Sequence, residues 1–281
     1  MKDISVIIVN YNAVQLVSDC IDSVYAGTVG IDFEVILVDN GSTDGSKEKF
    51  SSDSRIKYIY NEDNRGFGHA NNIGVSQSSG RNILFLNPDT LVRGNAIGTL
   101  CHYIDANPEA GACGGNLFTR NGTPNHSYML HRPGIISDLE RFFEIKPEIF
   151  NRSGKPKEVG SISGAGLVVR KSVLDEVGGF DESFFLFFEE TELCYRIARA
   201  KYKIMSVPEA EIVHFGNAVI KDNGKEKFYY ESRAKYLDLT HNRLSRYICN
   251  LIWGLTVYSR IIINIFNKER LGIWQERRKL L

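Results

Sequence analysis

The chain has 281 residues, of which 43% are apolar and 24% charged. That ordinary globular usage excludes a disordered or collagen-like protein, and the length suits one α/β domain with an appendage rather than two full domains. Lys plus Arg and Asp plus Glu each number 34, so there is no surplus of cations of the kind a dedicated nucleic-acid binder needs. In chain order, short apolar runs at 4–9, 33–38, 56–60 and 82–86 predict strands. Segments near 13–25, 44–50, 67–78 and 94–106 predict helices between and after them. Near-continuous β-branched runs indicate a sheet buried on both faces, and strand–helix alternation indicates a parallel sheet. Residues 118–158 are polar and turn-rich, and read as a substrate-facing excursion. A Gly-punctuated strand is expected at 161–170, a short helix at 171–177 ending at Gly178-Gly179, and a helix from 189 to about 201. Two short strands follow at 203–207 and 211–215, and helix from about 225 to the end. No internal repeat at a fixed period is present.

Five cysteines, Cys20, Cys101, Cys113, Cys194 and Cys249, are widely spaced with no CxxC pair. They read as small buried hydrophobes in a reducing compartment. The start, MKDISVIIVNYN, is too polar for a signal peptide, so a cytoplasmic protein is expected.

An open parallel sheet binds ligands beyond the carboxyl ends of its strands. The polar residues there are Asn10-Tyr11-Asn12, Asp39-Asn40-Gly41-Ser42 and Asn87-Pro88-Asp89-Thr90. Asp39 can accept hydrogen bonds from a base or ribose; an Asx-turn with Ser42 or Asp44 capping the next helix explains it equally. Asp89 falls on the same edge, and two acids there suit a nucleoside diphosphate carrying Mg2+ or Mn2+. A plain Pro-Asp turn is the bland alternative. Asn64-Arg65-Gly66-Phe67-Gly68 opens a helix whose first N–H groups can meet an anion, with Asn71 and Asn72 one turn on.

Glu189-Glu190-Thr191-Glu192 begins a helix after five apolar residues, 184–188. Acids at a helix start complement its dipole. Helical spacing also sets Glu190 over the apolar stripe of Leu193, Cys194 and Ile197, where a carboxylate with a raised pKa can take a proton from a hydroxyl. Glu189, four before Leu193, can face inward too. His214, in EIVHFG, is a metal ligand, a phosphate contact or a structural histidine. No GxxxxGK[ST], GxSxG or HExxH sequence occurs, so P-loop, hydrolase-elbow and zincin chemistries lose support.

The pieces SVIIVNYN, VILVDNGSTDGS, NRGFGHANNIG, ILFLNPDT, SGAGLVVRKSVLDEVGGFDESFF, FFEETELCYR and HFG, in this order over about residues 3–216, resemble a family 2 glycosyltransferase of the GT-A fold. The subgroup they look most like is that of bacterial rhamnosyltransferases. The resemblance implies a mainly parallel sheet flanked by helices over 1–220, with a C-terminal helical extension over 221–281. It implies that Tyr11 and Asp39 hold the nucleotide base with Asn40 and Ser42 nearby, and that Arg65, Gly66, Phe67 and Asn71 border the nucleotide-sugar. It makes Asp89 a ligand of Mg2+ or Mn2+, with Asn87 standing where the family has a first acid, and puts His214 near metal and diphosphate. Glu190 stands where the family has its general-base aspartate. The implied reaction is inverting transfer from a nucleotide-sugar, dTDP-rhamnose or a UDP-hexose, to a saccharide acceptor that can be lipid-linked. A nucleotidyltransferase and a non-catalytic binding module are the rival classes.

The tail contains YICNLIWGLTVYSRIIINIF at 247–266, twenty residues broken by Asn250, Arg260 and Asn264. Five basic residues against two acidic ones follow from Lys268 on. A helix lying on an anionic membrane surface fits this better than a spanning one; contact with the domain or with a second subunit, as in a homodimer, is the alternative.

Overall fold

The structure, a computed structural model, describes residues 1–216 and 225–278. The elements run β1 (Lys2–Asn10), α1 (Val14–Gly27), β2 (Phe33–Asn40), α2 (Ser46–Phe50), β3 (Ile56–Asn61), α3 (Phe67–Ser76), β4 (Gly80–Leu86), β5 (Thr90–Arg93), α4 (Ala96–Ala106) and β6 (Ala110–Phe118). Then come β7 (Tyr128–Met129), α5 (Ile135–Phe142), β8 (Lys157–Glu158), β9 (Ser161–Ile162), β10 (Gly166–Arg170), α6 (Lys171–Val177), α7 (Glu189–Arg199) and β11 (Lys203–His214). The C-terminal helices are α8 (Lys225–Thr240), α9 (Arg243–Ile263) and α10 (Lys268–Arg278). The expected boundary at 220/221 lies outside the described residues, as do 279–281.

The main sheet has the order β3-β2-β1-β4-β10-β6-β11-β5, with β8 on β11. β1 through β4 pair in parallel, whereas β10 runs antiparallel between β4 and β6. β1 shows why a continuous apolar run marks a doubly covered strand. Ile4, Val6 and Ile8 pack with α1 and α4 on one face, and Ile7 and Val9 with α3, α6 and α7 on the other. Each such side chain, once fully buried, contributes about 1.5–3 kcal/mol. All five cysteines are buried and unpaired, and burial pushes the Cys20 thiol up to about 12, so it behaves as a hydrophobe.

Two expectations about strands change, and one strand is new. The single strand at 161–170 is two: Ile162 pairs with Tyr128 in a separate two-stranded sheet, and the turn at Ser163-Gly164-Ala165 returns the chain to the main one. The two strands at 203–207 and 211–215 are one, because a bulge between Val207 and Glu211 keeps the pairing to β6 on both sides. Gly115 permits it, since a Cβ there would sit 2.3 Å from the Ala210 carbonyl oxygen. β6 itself carries no apolar run. Its glycines let neighbours approach: a Cβ on Gly111 would meet Tyr202 and Ile197 at 2.6 and 2.8 Å.

The 118–158 excursion contains α5, which packs along α9. α8 clamps the aromatic turn before α7, where Ser232 donates to the Leu186 carbonyl at 2.8 Å and Lys235 to that of Ser183. On α9, Cys249, Trp253 and Val257 are buried, while Leu244, Tyr247, Leu251, Leu255, Tyr258 and Ile262 form an exposed apolar stripe on the opposite side. Among the described residues no helix is long and apolar enough to cross a membrane.

Candidate active site

The ends of β1, β2, β3 and β4 open on one sheet edge, with Asn10 beside Asp39 and Asn40 beside Asn61. Asp39 is fully buried and its oxygens are all engaged. Oδ1 accepts from the Ser42 backbone N–H at 2.8 Å, and Oδ2 from the Asn10 amide at 3.2 Å and the Tyr58 hydroxyl at 3.0 Å. Ser42 Oγ in turn accepts from Asn10 and from the Asn12 N–H. Asp39 therefore shapes the edge loop from within, as the Asx-turn alternative describes. Tyr58 is the partner that sequence did not single out. Tyr11 is 40% exposed above this scaffold, a free ring face at the strand end.

Asn40 donates to the Gly66 carbonyl at 3.2 Å and receives the Asn61 amide at 2.9 Å, tying the second strand to the glycine loop. Arg65 is exposed, Gly66 buried and Phe67 partly buried. Gly66 has φ +96°, and a Cβ there would lie 2.6 Å from the Phe185 carbonyl oxygen. Gly66→Ala is expected to cost about 1–3 kcal/mol of local strain; the urea unfolding midpoint checks it. Asn71 donates to the Phe67 carbonyl at 3.0 Å, while its buried side-chain oxygen has no partner. Asn72 instead pins α3 to the Phe180 backbone.

Asp89 and His214 meet because β11 pairs with β5, His214 opposite Thr90. His214 Nε2 lies 3.3 Å from Asp89 Oδ1 and 3.4 Å from the Asn87 amide nitrogen. A carboxylate oxygen and an imidazole nitrogen suit Mn2+, and the oxygen suits Mg2+. The described residues hold no group of three or more His, Cys, Asp or Glu placed for a metal. Asp89 and His214 supply two donors of the kind such an ion takes.

The helix carrying the acids starts from two consecutive left-handed residues, Phe187 (φ 68°) and Phe188 (φ 69°). Such conformations cost about 1–3 kcal/mol each and persist where surroundings hold them. Here Tyr229 and Tyr236 of α8 pack on the Phe188 ring at 5.1 and 5.7 Å. Glu192 is structural: it chelates Arg196, which caps the carbonyls of Val177, Gly178 and Gly179. Glu189 is buried and its Oε2 has no partner. Burial, with the Glu190 charge beside it, raises its pKa well above the ordinary 4.5. Burial also raises that of the partly exposed Glu190. A Cβ on Gly164 would lie 3.7 Å from both Glu190 and the Phe67 ring. The same turn, through the Ala165 carbonyl, accepts the Asn87 N–H at 3.4 Å. The loop at 163–165 thereby joins Glu190 to the glycine loop and the Asp89 loop.

A mixed, mostly parallel sheet flanked by helices, with acids at the carboxyl ends of its strands, is the architecture of the GT-A fold. Residues 5–178 match glycosyl transferase family 2, and the chain belongs to that family. It is similar to a low-salt glycan biosynthesis hexosyltransferase of Haloferax volcanii, 28% identical over 219 residues, covering 76% of this chain and 67% of that protein. It is also similar to an N-acetylglucosaminyl-diphospho-decaprenol L-rhamnosyltransferase of Mycobacterium tuberculosis, 30% identical over 203 residues, covering 64% of this chain and 66% of the relative. The chain thus spans about two thirds of the length of these curated relatives. A crystal structure of GalNAc-T7 with UDP, GalNAc and Mn2+ shares the fold, with a TM-score of 0.64 at 16% identity over 85% of this chain and 48% of that one.

Proposed function

We propose that this glycosyltransferase is inverting and metal-dependent, and that it moves L-rhamnose from dTDP-rhamnose to a hydroxyl of a surface-polysaccharide or lipid-linked saccharide. The observation that carries the reading is the joining of Glu190, Phe67 and the Asp89–His214 pair through the turn at 163–165. Glu190 takes the acceptor hydroxyl proton, and the oxygen attacks the anomeric carbon. The bond to the nucleoside diphosphate breaks on the opposite face, and no covalent enzyme intermediate forms. Glu189, the more deeply buried acid, holds its proton more tightly than an ordinary carboxyl because of that burial and the neighbouring Glu190 charge. Asp89 and His214 would hold Mg2+ or Mn2+, which offsets charge on the leaving diphosphate. Tyr11 offers a ring to the base, on the scaffold of Asp39, Asn40 and Ser42. Arg65, Gly66, Phe67 and Asn71 border the sugar diphosphate.

The rhamnosyl donor is favoured by the 30% identical L-rhamnosyltransferase. A UDP-hexose is the second reading, on the strength of the hexosyltransferase relative. A thermal-shift screen against dTDP, UDP, GDP and CMP, with and without Mn2+, separates them. The expected result is the largest shift with dTDP and Mn2+; a larger one with UDP discards rhamnose, and none with any nucleotide discards the transferase site. In the same screen Asp89→Ala is expected to abolish the Mn2+-dependent part of the shift. The apolar stripe of α9 suits a bilayer at the cytoplasmic face, where the buried free thiols would stay reduced. Sedimentation with anionic vesicles at low salt tests that contact, and a homodimer in light scattering without vesicle binding would replace it.

A further inference from the structure

We propose that the pocket between α5, α8, α9, α10 and the Phe187 turn binds the phosphate-bearing sugar of the acceptor. This rests on the glycosyltransferase reading and gives it an acceptor subsite distinct from the donor edge. The pocket has a volume of about 430 Å3 and is lined by Arg141, Phe187, Tyr229, Trp253, Trp274 and Arg277, with Glu226 at one wall. Its size and its aromatic lining with few convergent polar groups are those of a small-molecule site. Flat rings present broad apolar faces on which the C–H face of a sugar ring can lie.

The two cations differ. Arg277 is held by Glu226 at 2.9 Å. Arg141 is exposed, and among the described residues it makes no ion pair within 4 Å, although the Asp138 charge acts on it from further off. Its guanidinium lies 5.0 Å from the Trp253 ring centre and gives one N–H to the Tyr229 hydroxyl at 3.0 Å. The nearby acid, Asp138, is already taken by Arg233 at 2.5 Å. Arg141 therefore keeps donors for an outside anion, and a guanidinium fork suits phosphate oxygens.

Position supports the same ligand. Phe187 is two residues before Glu189, so the pocket shares a wall with the turn that presents both carboxylates. Trp253 lies on the side of α9 opposite the exposed stripe. With that stripe on a bilayer, the pocket stands about one helix diameter, ~10 Å, above the apolar plane. That is just outside the headgroup layer, which is about 5–8 Å thick on each side of the hydrocarbon.

Trp253 and Trp274 are the chain's two tryptophans, so intrinsic fluorescence of the full chain reads this pocket directly. Glucose 1-phosphate is expected to give a saturable change, with inorganic phosphate and glucose each binding about tenfold more weakly or worse. Arg141→Gln is expected to weaken glucose 1-phosphate about tenfold and to raise the acceptor KM, and Arg141→Lys to recover part of both. A prenyl diphosphate in vesicles serves as a second arm: tighter binding than glucose 1-phosphate assigns a lipid-borne source, and weaker binding a soluble one. No saturable change, or one unaltered in Arg141→Gln, overturns the proposal. An equal response to dTDP overturns it as well, by making the pocket a nucleotide site. Nucleotide-dependent thermal shifts control for folding of the variants and judge the transferase reading separately.

Discussion

Glu190→Gln is expected to lower kcat/KM by about 10²–10⁴-fold, the usual worth of a positioned general base, while the nucleotide-dependent thermal shift persists. The amide keeps the shape beside Gly164 and Phe67 but cannot take the proton. The pH dependence follows from the burial that raises the Glu190 pKa above 4.5. A base must be deprotonated, so the rate falls as pH drops through that raised value, and the acid limb lies above 4.5. Glu189 and Glu190 are neighbours, so the limb belongs to the pair and not to one carboxyl alone. For stability the sign is opposite. A raised Glu189 carboxyl stabilises the fold below its unfolded value, and that contribution is lost as pH rises through its folded value. The wild-type pH–rate profile and urea midpoints across the same pH range check both signs. Full activity in Glu190→Gln with loss in Glu189→Gln would move the base to Glu189.

Much of this site is legible because strand ends are legible. The near-continuous apolar runs of β1, β2 and β4 announce a doubly covered parallel sheet, and the edge rule then points to Asp39 and Asp89 without knowledge of their partners. The pairing of His214 with Asp89 is not legible, since it depends on β11 returning beside β5, more than a hundred residues later. β6 is hidden for a related reason. Its glycines are selected by what packs on them, Tyr202, Ile197 and Ile162, and they erase the apolar signal that marks a strand. Spacing favours Glu190 without excluding Glu189, because it presumes one open helix face. The first turn of α7 is enclosed, with Thr191 fully buried as well. The left-handed turn at Phe187 and Phe188 is likewise invisible locally, since the rings of α8 hold it.

The largest loss of stability is expected from Asp138→Ala, at about 3–5 kcal/mol. Asp138 on α5 and Arg233 on α8 are both almost fully buried and bond at 2.5 Å. Burial raises the Asp138 pKa despite the facing guanidinium, so desolvation outweighs attraction even in the intact pair. Removing the acid leaves a guanidinium without its counter-ion in a closed space, bounded by the Trp253 ring 5.5 Å away. The double variant Asp138→Leu with Arg233→Met removes both charges. It is expected to return to within about 1 kcal/mol of the natural chain or above it, as apolar replacements of buried pairs do. Urea unfolding followed by tryptophan emission reads both, because Trp253 lies at the pair. If the double variant is as unstable as Asp138→Ala, the cost is lost packing between α5 and α8 and not an unpaired charge. If neither variant shifts the midpoint, the pair is wetter than its burial indicates, and the C-terminal helices are held by the aromatic cluster of Phe188, Tyr229 and Tyr236 instead.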